Sequence, residues 1–402
     1  MIGKWSLAVL LVVAAGPVLA QPEPLAPWLR ERAETKVRSS APVRNFKARA
    51  NETCQPNLLL CGQVIQADLT ATDCSSPPQF ADLLFFPNYQ RQAVGVAVLP
   101  QGFDVLAGLF DPASNVLAAD SAPDGSIAAF GAFLQTAGNF EILVTSQTTS
   151  SSRTGSYILA LECGGDRCIP DVATMCLQRK RFRVQVAWHN QFNDTYGFGR
   201  AIVRTDSGGF FSFGDASNIE LLIKVLDFGG GTIKTFVGEL TNLEFAVAVT
   251  DMSDPSAHTK TYVNTPGDCG GIDQDFLAGE SPALRSLARA SGGGCRPDKG
   301  TLCLLDRRFA LTMSWHNQFN GTSGVGGGVP VSDLTGAFYF TDKSDLELVA
   351  KMIDFGDRIA LFYGALSDLE YDLKVTDTLT GVSKTYHNPP GRFCGGLDNT
   401  AF

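Results

Sequence analysis

The sequence is poor in the residues that serve metal, nucleic-acid and membrane chemistry. It has only four histidines and no Cys-x-x-Cys pair, so the common ligand pattern of a zinc site is missing. The formal net charge of −9 argues against a nucleic acid as the partner. After the N-terminal segment no stretch approaches the roughly 18 apolar residues of a membrane helix, so we expect no membrane span in the mature chain.

Residues 1–20 have the pattern of a secretory signal peptide. Lys4 precedes an apolar run from Trp5 to Ala15, and the small residues that end at Ala20 are typical of a cleavage site. Cleavage near Ala20 would place the mature chain outside the cell or in the periplasm. Residues 21–53 are rich in proline and basic residues, so we predict a flexible leader, with one short helix in "APWLRERAETK".

Residues 54–163 alternate short apolar strands with turn sequences such as "DPASN" and "APDG". This pattern predicts a β-sandwich of the jelly-roll type. The segment resembles the bacterial pre-peptidase C-terminal domain in several motifs: Gly62-Gln63-Val64, Asp82 to Phe86, Phe103-Asp104, Leu109 to Pro112, Ala137 to Val144 and Gly155 to Leu161. The resemblance implies a compact sandwich, appended to secreted enzymes or surface proteins, without chemistry of its own. Some members of that family bind calcium or carbohydrate.

From Cys168 onward the chain contains two copies of one segment, residues 168–277 and 295–402, joined by a linker over residues 278–294. "CIPDVATMCLQRKRFRVQVAWHNQFN" matches "CRPDKGTLCLLDRRFALTMSWHNQFN", and "GELTNLEFAVAVTD" matches "GALSDLEYDLKVTD". Each copy has about seven predicted strands, which favours an immunoglobulin-like sandwich. The copies resemble an uncharacterised repeat of secreted bacterial proteins. The predicted fold is therefore all-β: a jelly-roll-like sandwich followed by two tandem immunoglobulin-like β-sandwich repeats.

Apolar and polar residues alternate in one strand of each copy. Phe182, Val184, Val186 and Trp188 alternate with polar or small residues, and the second copy repeats the pattern from Phe309 to Trp315. Such alternation predicts a half-buried strand whose last aromatic side chain points inward. Two further apolar strands, Ile219 to Leu226 and Leu346 to Ile353, carry one lysine each, Lys224 and Lys351.

The ten cysteines predict disulfides, since the chain is expected to be exported. They are Cys54, Cys61, Cys74, Cys163, Cys168, Cys176, Cys269, Cys295, Cys303 and Cys394. In each repeat, two pairings are open. The two cysteines at its start could pair locally, or the second of them could pair with the cysteine near its end, as Cys176 with Cys269 or Cys303 with Cys394. In the first domain we predict a bond between Cys74 and Cys163.

The sequence "WHNQFN" occurs in both copies and contains the candidate ligand-binding residues. They are Trp188, His189, Asn190 and Phe192, and in the second copy Trp315, His316, Asn317 and Phe319. The motif ends a predicted strand and precedes Asn, Gly and Thr, which are turn residues. It is therefore interpreted first as a buried Trp followed by a hairpin loop, and second as a loop that contacts a ligand through Phe192, Tyr196, Phe198 and Phe319. Catalysis is the weakest interpretation, because no repeated Ser or Cys nucleophile accompanies the histidines.

Five acidic positions recur in both copies and could hold calcium at loop ends. They are Asp215 and Asp342, Glu220 and Glu347, Asp227 and Asp354, Glu244 and Glu370, and Asp251 and Asp377. Their spacing is not that of a calcium-binding loop, and turn caps or edge-strand charges are the alternative. No cofactor is predicted, with calcium kept as a candidate. The sequence Asp-Phe-Gly at residues 227–229 and 354–356 is an ordinary turn, since no other kinase motif is present.

We predict a secreted, non-enzymatic protein for binding, adhesion or envelope structure, with a cell-surface glycan or a secreted protein as its partner. Two copies of one weak module can bind with avidity. Two alternatives stay open: a secreted hydrolase with His189 or His316 as the base, and an accessory or inhibitor protein of a secreted protease.

Overall fold

A computed structural model describes residues 26–44, 46–47, 57–76, 79–147, 154–165, 167–254, 257–264, 271–273, 294–355, 359–393 and 396–398. The chain divides into two compact units, one formed by Met1–Asp166 with Asp254–Ala257, the other by Arg167–Ser253 with His258–Phe402. Within the described ranges, one helix accompanies strands that form six sheets, which confirms the all-β prediction. The predicted signal peptide, and the predicted linker up to residue 293, lie outside the described residues.

The first unit contains one helix and two facing sheets. Its elements are α1 (Ala26–Ser39), β1 (Val43–Arg44), β2 (Phe46–Lys47), β3 (Asn57–Leu58), β4 (Val64–Leu69), β5 (Cys74–Ser76), β6 (Gln79–Asn88), β7 (Gln92–Gln101), β8 (Val105–Phe110), β9 (Val116–Ala122), β10 (Ala128–Leu134), β11 (Gly138–Ser146) and β12 (Gly155–Cys163). One sheet has the order β1-β4-β12-β7-β10. The other has the order β2-β3-β6-β11-β8-β9, with β5 paired to β6.

Strand β7 shows how the sequence builds this sandwich. Val94, Val96 and Val98 point into the core between the sheets, while Gly95 and Ala97 point to the opposite face. Helix α1 packs on that second face through Ala33 and Val37. A Cβ atom at Gly95 would overlap the backbone carbonyl group of Leu29, so only glycine lets the helix approach this closely.

Helix α1 belongs to the segment predicted as a flexible leader with a short helix. It begins at Ala26 and ends at Ser39, shortly before Pro42, which cannot continue a helix. Arg32 and Lys36 both form ion pairs with Glu162, a fully buried carboxylate on β12. In the structure this part of the leader is thus a packed element of the first unit, held by apolar contacts and by paired buried charges.

The second unit contains both repeats, each a sandwich of two five-stranded sheets. The strands of the first repeat are β13 (Met175–Leu177), β14 (Phe182–Asn190), β15 (Thr195–Phe198), β16 (Arg200–Val203), β17 (Gly208–Ser212), β18 (Ile219–Asp227), β19 (Ile233–Glu239), β20 (Glu244–Asp251), β21 (Thr259–Val263) and β22 (Gly271–Asp273). Those of the second are β23 (Thr301–Leu304), β24 (Phe309–His316), β25 (Ser323–Val325), β26 (Gly327–Pro330), β27 (Thr335–Tyr339), β28 (Leu346–Asp354), β29 (Ile359–Ala365), β30 (Glu370–Asp377), β31 (Ser383–Asn388) and β32 (Gly396–Asp398). Each repeat thus has ten strands in its described part and not the seven expected, and the additional strands are short ones.

The two repeats have the same strand order. In the first repeat one sheet runs β13-β14-β20-β21, with β15 on β14, and the other runs β16-β17-β18-β19-β22. The second repeat copies both orders with β23 to β32. The predicted alternation of β24 is confirmed, since Phe309, Leu311 and Met313 are buried and Ser314 is exposed. Strand β14 differs, because Gln185 on its outer face is also buried and donates a hydrogen bond to Thr174.

The repeats pack against each other through their β18 and β28 sheets. Leu222 and Phe236 of the first repeat share an apolar cluster with Val349 and Phe362 of the second. Strand β18 is therefore buried on both faces, because Leu221, Ile223 and Val225 fill the core of its own sandwich. This explains why the sequence there is an almost continuous apolar run rather than an alternating one.

Two equivalent glycines meet at the centre of this contact. A Cβ atom at Gly364 in β29 would lie 3.0 Å from the Cα atom of Gly238 in β19. Each repeat thus uses equivalent residues in this contact, as the two subunits of a two-fold homodimer do. Here a single chain supplies both halves.

Three disulfides join described residues. Cys168 pairs with Cys176 and Cys295 with Cys303, so each repeat forms the local bond at its start. In the first unit Cys61 pairs with Cys163, with Cα atoms 5.5 Å apart. Our prediction of a bond between Cys74 and Cys163 was therefore wrong. The backbone amide of Gly62 donates to the carbonyl of Leu161, and this pairing brings Cys61 beside the end of β12.

Cys74 is also disulfide-bonded. The remaining cysteines, Cys54, Cys269 and Cys394, lie outside the described residues.

Candidate binding loops

Both WHNQFN segments form the end of a strand and the hairpin loop that follows it. In the first repeat the loop joins β14 to β15, and in the second it joins β24 to β25. Asp194 has a φ of 61° and its counterpart Gly321 a φ of 73°, so the loops share one left-handed turn residue. Asp and Gly are among the residues that adopt this conformation at low cost.

The asparagines and glutamines of the motif hold the loop together. The Asn190 side-chain oxygen accepts a hydrogen bond from the amide of Phe192 at 3.0 Å, and the Asn193 oxygen accepts one from the Thr195 hydroxyl at 2.7 Å. Gln191 donates to the carbonyl of Asn242 at 2.6 Å. The second loop repeats all three bonds, through Asn317, Asn320 and Gln318. These polar side chains therefore have structural roles, as the turn interpretation predicted.

The tryptophans face inward. Trp188 stacks on Phe213 with ring centroids 5.6 Å apart, and Trp315 stacks on Phe340 at 5.4 Å. Gly324 leaves room for the second ring, since a Cβ atom there would lie 2.9 Å from it. The Trp side chains thus close the end of each sandwich core and offer little surface to a ligand.

The histidines differ between the two repeats. His189 is fully buried, with Nδ1 at 2.7 Å from Glu244 and Nε2 at 2.9 Å from Asp194. His316 is 43% exposed, and its Nδ1 lies 3.0 Å from Glu370. The second ring nitrogen lacks the acidic neighbour of the first repeat, because Gly321 occupies the position of Asp194.

A second histidine lies near His316. Nδ1 of His387 lies 2.9 Å from Asp372, and its Nε2 lies 4.0 Å from Glu370. The first repeat has no such pair, since Ala246 and Val263 pair on the corresponding strands where Asp372 and His387 pair in the second. The two WHNQFN sites have therefore diverged in their polar surroundings.

One side chain of each motif points to solvent. Phe192 is 69% exposed and Phe319 is 73% exposed, which are the largest values among the big apolar side chains described. Tyr196 is 39% exposed and Phe198 is half-buried. Of the predicted contact residues, the two phenylalanines are thus the ones that the loops present most openly.

The repeated acids have repeated protein partners. Asp251 accepts hydrogen bonds from Arg181, and Asp377 accepts equivalent bonds from Arg308. Burial raises the pKa of Asp377, but the hydrogen bonds and the positive charge of Arg308, together with hydrogen bonds from Leu379 and Thr380, hold it below the usual value.

The other repeated acids cap turns or pair with basic side chains. Asp215 and Asp342 each accept a hydrogen bond from a serine amide two residues later, and Glu220 and Glu347 pair with lysines. Across the described ranges no group of three or more His, Cys, Asp or Glu side chains is arranged to hold a metal ion.

Comparisons with known proteins give a structural match for part of the chain. No protein-family model and no curated protein matches the chain. A search of solved structures matches 28% of this chain to the whole of the pre-peptidase C-terminal domain of collagenase from Bacillus anthracis, with 16% sequence identity and a TM-score of 0.23. As for the membrane, the helix found in the described part of the chain is too short and too polar to cross a bilayer.

Proposed function

We propose that the chain is an exported, non-enzymatic binding protein whose two WHNQFN loops present Phe192 and Phe319 as paired contact residues. The observation that carries the proposal is the use of phenylalanine at a position without a structural requirement for it. The loop uses only the backbone amide at this position, which donates a hydrogen bond to the side-chain oxygen of Asn190 or Asn317. Any residue except proline could supply that amide, yet both copies place an exposed aromatic ring there.

Exposed aromatic side chains are favoured contact residues because they bury a large apolar area at a small cost in conformational entropy. Two equivalent loops in one chain can act together, and a linked pair of weak sites typically gains roughly 10²-fold or more in apparent affinity. The three disulfides between described residues support the expected export, since such bonds persist in oxidising compartments.

The partner we propose is a cell-surface glycan or a secreted protein. The test incubates the chain from Gln21 onward with a glycan array and, separately, with immobilised culture supernatant, each with and without EDTA. The double variant Phe192→Ser with Phe319→Ser is expected to lose binding. A matched control changes Phe228 and Phe355, which are 59% and 50% exposed and also equivalent in the two repeats.

Loss of binding in the loop variant alone supports the proposal. Equal loss in both double variants, or binding by neither the wild type nor the control, overturns it. Loss of wild-type binding in EDTA would indicate that a calcium ion takes part in the contact.

A hydrolase is the second candidate function, favoured by the divergence of the two histidine sites. A duplicated catalytic site is expected to be kept in one copy only, and His316 is the accessible one, with Glu370 to orient its ring. The test is hydrolysis of chromogenic ester, peptide and glycoside substrates. Activity that disappears in His316→Ala but persists in His387→Ala would favour the hydrolase, whereas no activity in the wild type would exclude it for these substrates.

A further inference from the structure

The contact between the repeats buries two lysines, each beside a carboxylate of the other repeat. Lys351 Nζ lies 3.0 Å from Glu220 Oε2 and donates to the carbonyl of Ile219 at 2.9 Å. The Lys351 side chain is 1% exposed, and Nζ also lies 4.5 Å from the centre of the Phe362 ring. A primary amine is thus held out of water at a fixed position.

The same carboxyl group holds a side-chain amide. Asn218 Nδ2 donates to Glu220 Oε1, so Glu220 contacts the amine with one oxygen and the amide with the other. The side-chain oxygen of Asn218 is buried, and no hydrogen-bond partner for it is found among the described residues. Glu220 therefore contacts both the nucleophile, which is the Lys351 amine, and the Asn218 amide, which supplies the carbonyl group, and it can carry a proton between them.

Burial changes the ionisation of the group in the direction that amide formation needs. It raises the pKa of Glu220, although Lys351 opposes the change, and it lowers the pKa of Lys351, although Glu220 opposes it. Both changes favour a neutral amine beside a neutral carboxylic acid. Only the neutral amine has the free electron pair that attacks a carbonyl carbon.

The equivalent cluster has the same composition with one change. Lys224 Nζ lies 2.7 Å from Asp345 Oδ1 and 3.2 Å from Glu347 Oε2. Burial, together with the negative charge of Asp345, raises the pKa of Glu347 to about 7 against the attraction of Lys224. Asp345 occupies the position of Asn218, so this cluster has a carboxyl group where the first has an amide.

We propose that Lys351 and Asn218 form an amide bond that links the two repeats covalently, with Glu220 carrying the protons. Glu220 takes a proton from the Lys351 ammonium group, and the amine attacks Cγ of Asn218 while Glu220 returns the proton to the amide oxygen. The tetrahedral intermediate then passes a proton from Nζ to the Asn218 nitrogen. The Cγ–Nδ2 bond breaks and ammonia leaves, while the hydroxyl proton returns to the Glu220 carboxylate as the carbonyl re-forms. The Nζ–Cγ bond remains, with no change of oxidation state.

The alternative is an ordinary buried ion pair. Such a pair contributes little net stability, since the cost of removing both charges from water offsets their attraction. Both copies have the Lys–Glu pair, and in each an amide or carboxyl group lies beside it. The cross-link accounts for the presence of the pair in both. In the second cluster the same chemistry would join Lys224 to Asp345 with loss of water.

The test is the intact mass of the full exported chain after reduction of its disulfides. The expected mass is lower than the sequence mass by one ammonia, or by one ammonia and one water if both clusters react. Proteolysis should release a branched peptide that joins Lys351 to Asn218. A wild-type chain with its full sequence mass overturns the proposal, and so does loss of water alone mapped to Lys224 and Asp345.

Variants identify the proton carrier. Glu220→Gln keeps the size of the side chain but cannot take up a proton, so it should retain the ammonia. Asn218→Asp should lose water instead, measured against its own sequence mass. Lys224→Met is the control, which should still lose ammonia. Since the branched peptide of the wild type decides the proposal by itself, a variant that fails to fold does not affect the result. Loss of ammonia from Asn218 in a folded Lys351→Arg chain would contradict the assignment.

Discussion

The contact between the two repeats can be tested at Gly364, where the backbones of the two sheets approach closely. We consider Gly364→Val. The first added carbon would lie 3.0 Å from Gly238 Cα and 3.1 Å from the amide nitrogen of Glu239. Both atoms belong to the backbone of β19, so no side chain can rotate away. The two sheets must separate to accept the new side chain.

The magnitude follows from two opposing effects. Overpacking a close-packed interior typically costs about 1–3 kcal/mol. Replacing a glycine restricts the unfolded chain, which favours folding by roughly 0.4–1 kcal/mol where the backbone permits a side chain. Overpacking dominates, and we expect the free energy of unfolding of the second unit to fall by roughly 1–2 kcal/mol. At Gly238 the nearest atom is a methyl of Leu366, which can move, so Gly238→Ala should cost less than Gly364→Ala.

The assay is urea unfolding followed by tryptophan fluorescence, because Trp188 and Trp315 lie in the two sandwiches of the second unit. Gly214→Val is the matched control, since no heavy atom lies within 4 Å of a Cβ atom at Gly214. The control should stay within about 0.5 kcal/mol of the wild type, as surface substitutions usually do. If Gly364→Val also stayed within that range, the close approach of the two sheets would be refuted.

Two further substitutions test the electrostatic part of the account. Asp377→Asn should lower the free energy of unfolding at pH 7 by roughly 1–3 kcal/mol, because ionised Asp377 is buried and accepts hydrogen bonds from Arg308. The pKa of Asp377 is lowered on folding, so its contribution is present above the unfolded value of about 3.9 and is lost as the pH falls through the folded value. Unfolding curves of wild type and variant should therefore converge below about pH 4, and a constant difference would refute the linkage. His189→Phe should cost roughly 1–3 kcal/mol, because it leaves two carboxylates without their partner, whereas His316→Phe, at a half-exposed site, should cost less than about 0.5 kcal/mol. Equal effects of the two histidine substitutions on the urea midpoint would contradict the difference in burial.

Local features of the repeats could be predicted from the sequence. The alternation from Phe309 to Met313 marked β24, and the turn residues after it predicted the hairpin that Asn317 and Asn320 stabilise. These features depend on residues close together in the chain, where periodicity and turn chemistry are informative. The inward direction of Trp315 followed from the same alternation.

Features that depend on distant residues could not be predicted. Lys224 and Glu347 contact each other across the two repeats, and a sequence pattern does not indicate which sheet face another domain covers. Cys163 likewise pairs with Cys61 and not with the predicted Cys74, because the pairing of distant strands brings Cys61 beside the end of β12. The exposure of Phe192 likewise depends on the direction in which the loop leaves the strand, which the motif alone does not indicate.

The proposal that the two loops act as a pair is tested most directly by the apparent dissociation constant on a dense surface of the identified ligand. The wild type is compared with Phe192→Ser, Phe319→Ser and the double variant. We predict that each single variant weakens binding by roughly 10²-fold through loss of avidity and that the double variant does not bind. A single variant that binds as tightly as the wild type, or a double variant that still binds, would contradict the paired-loop account.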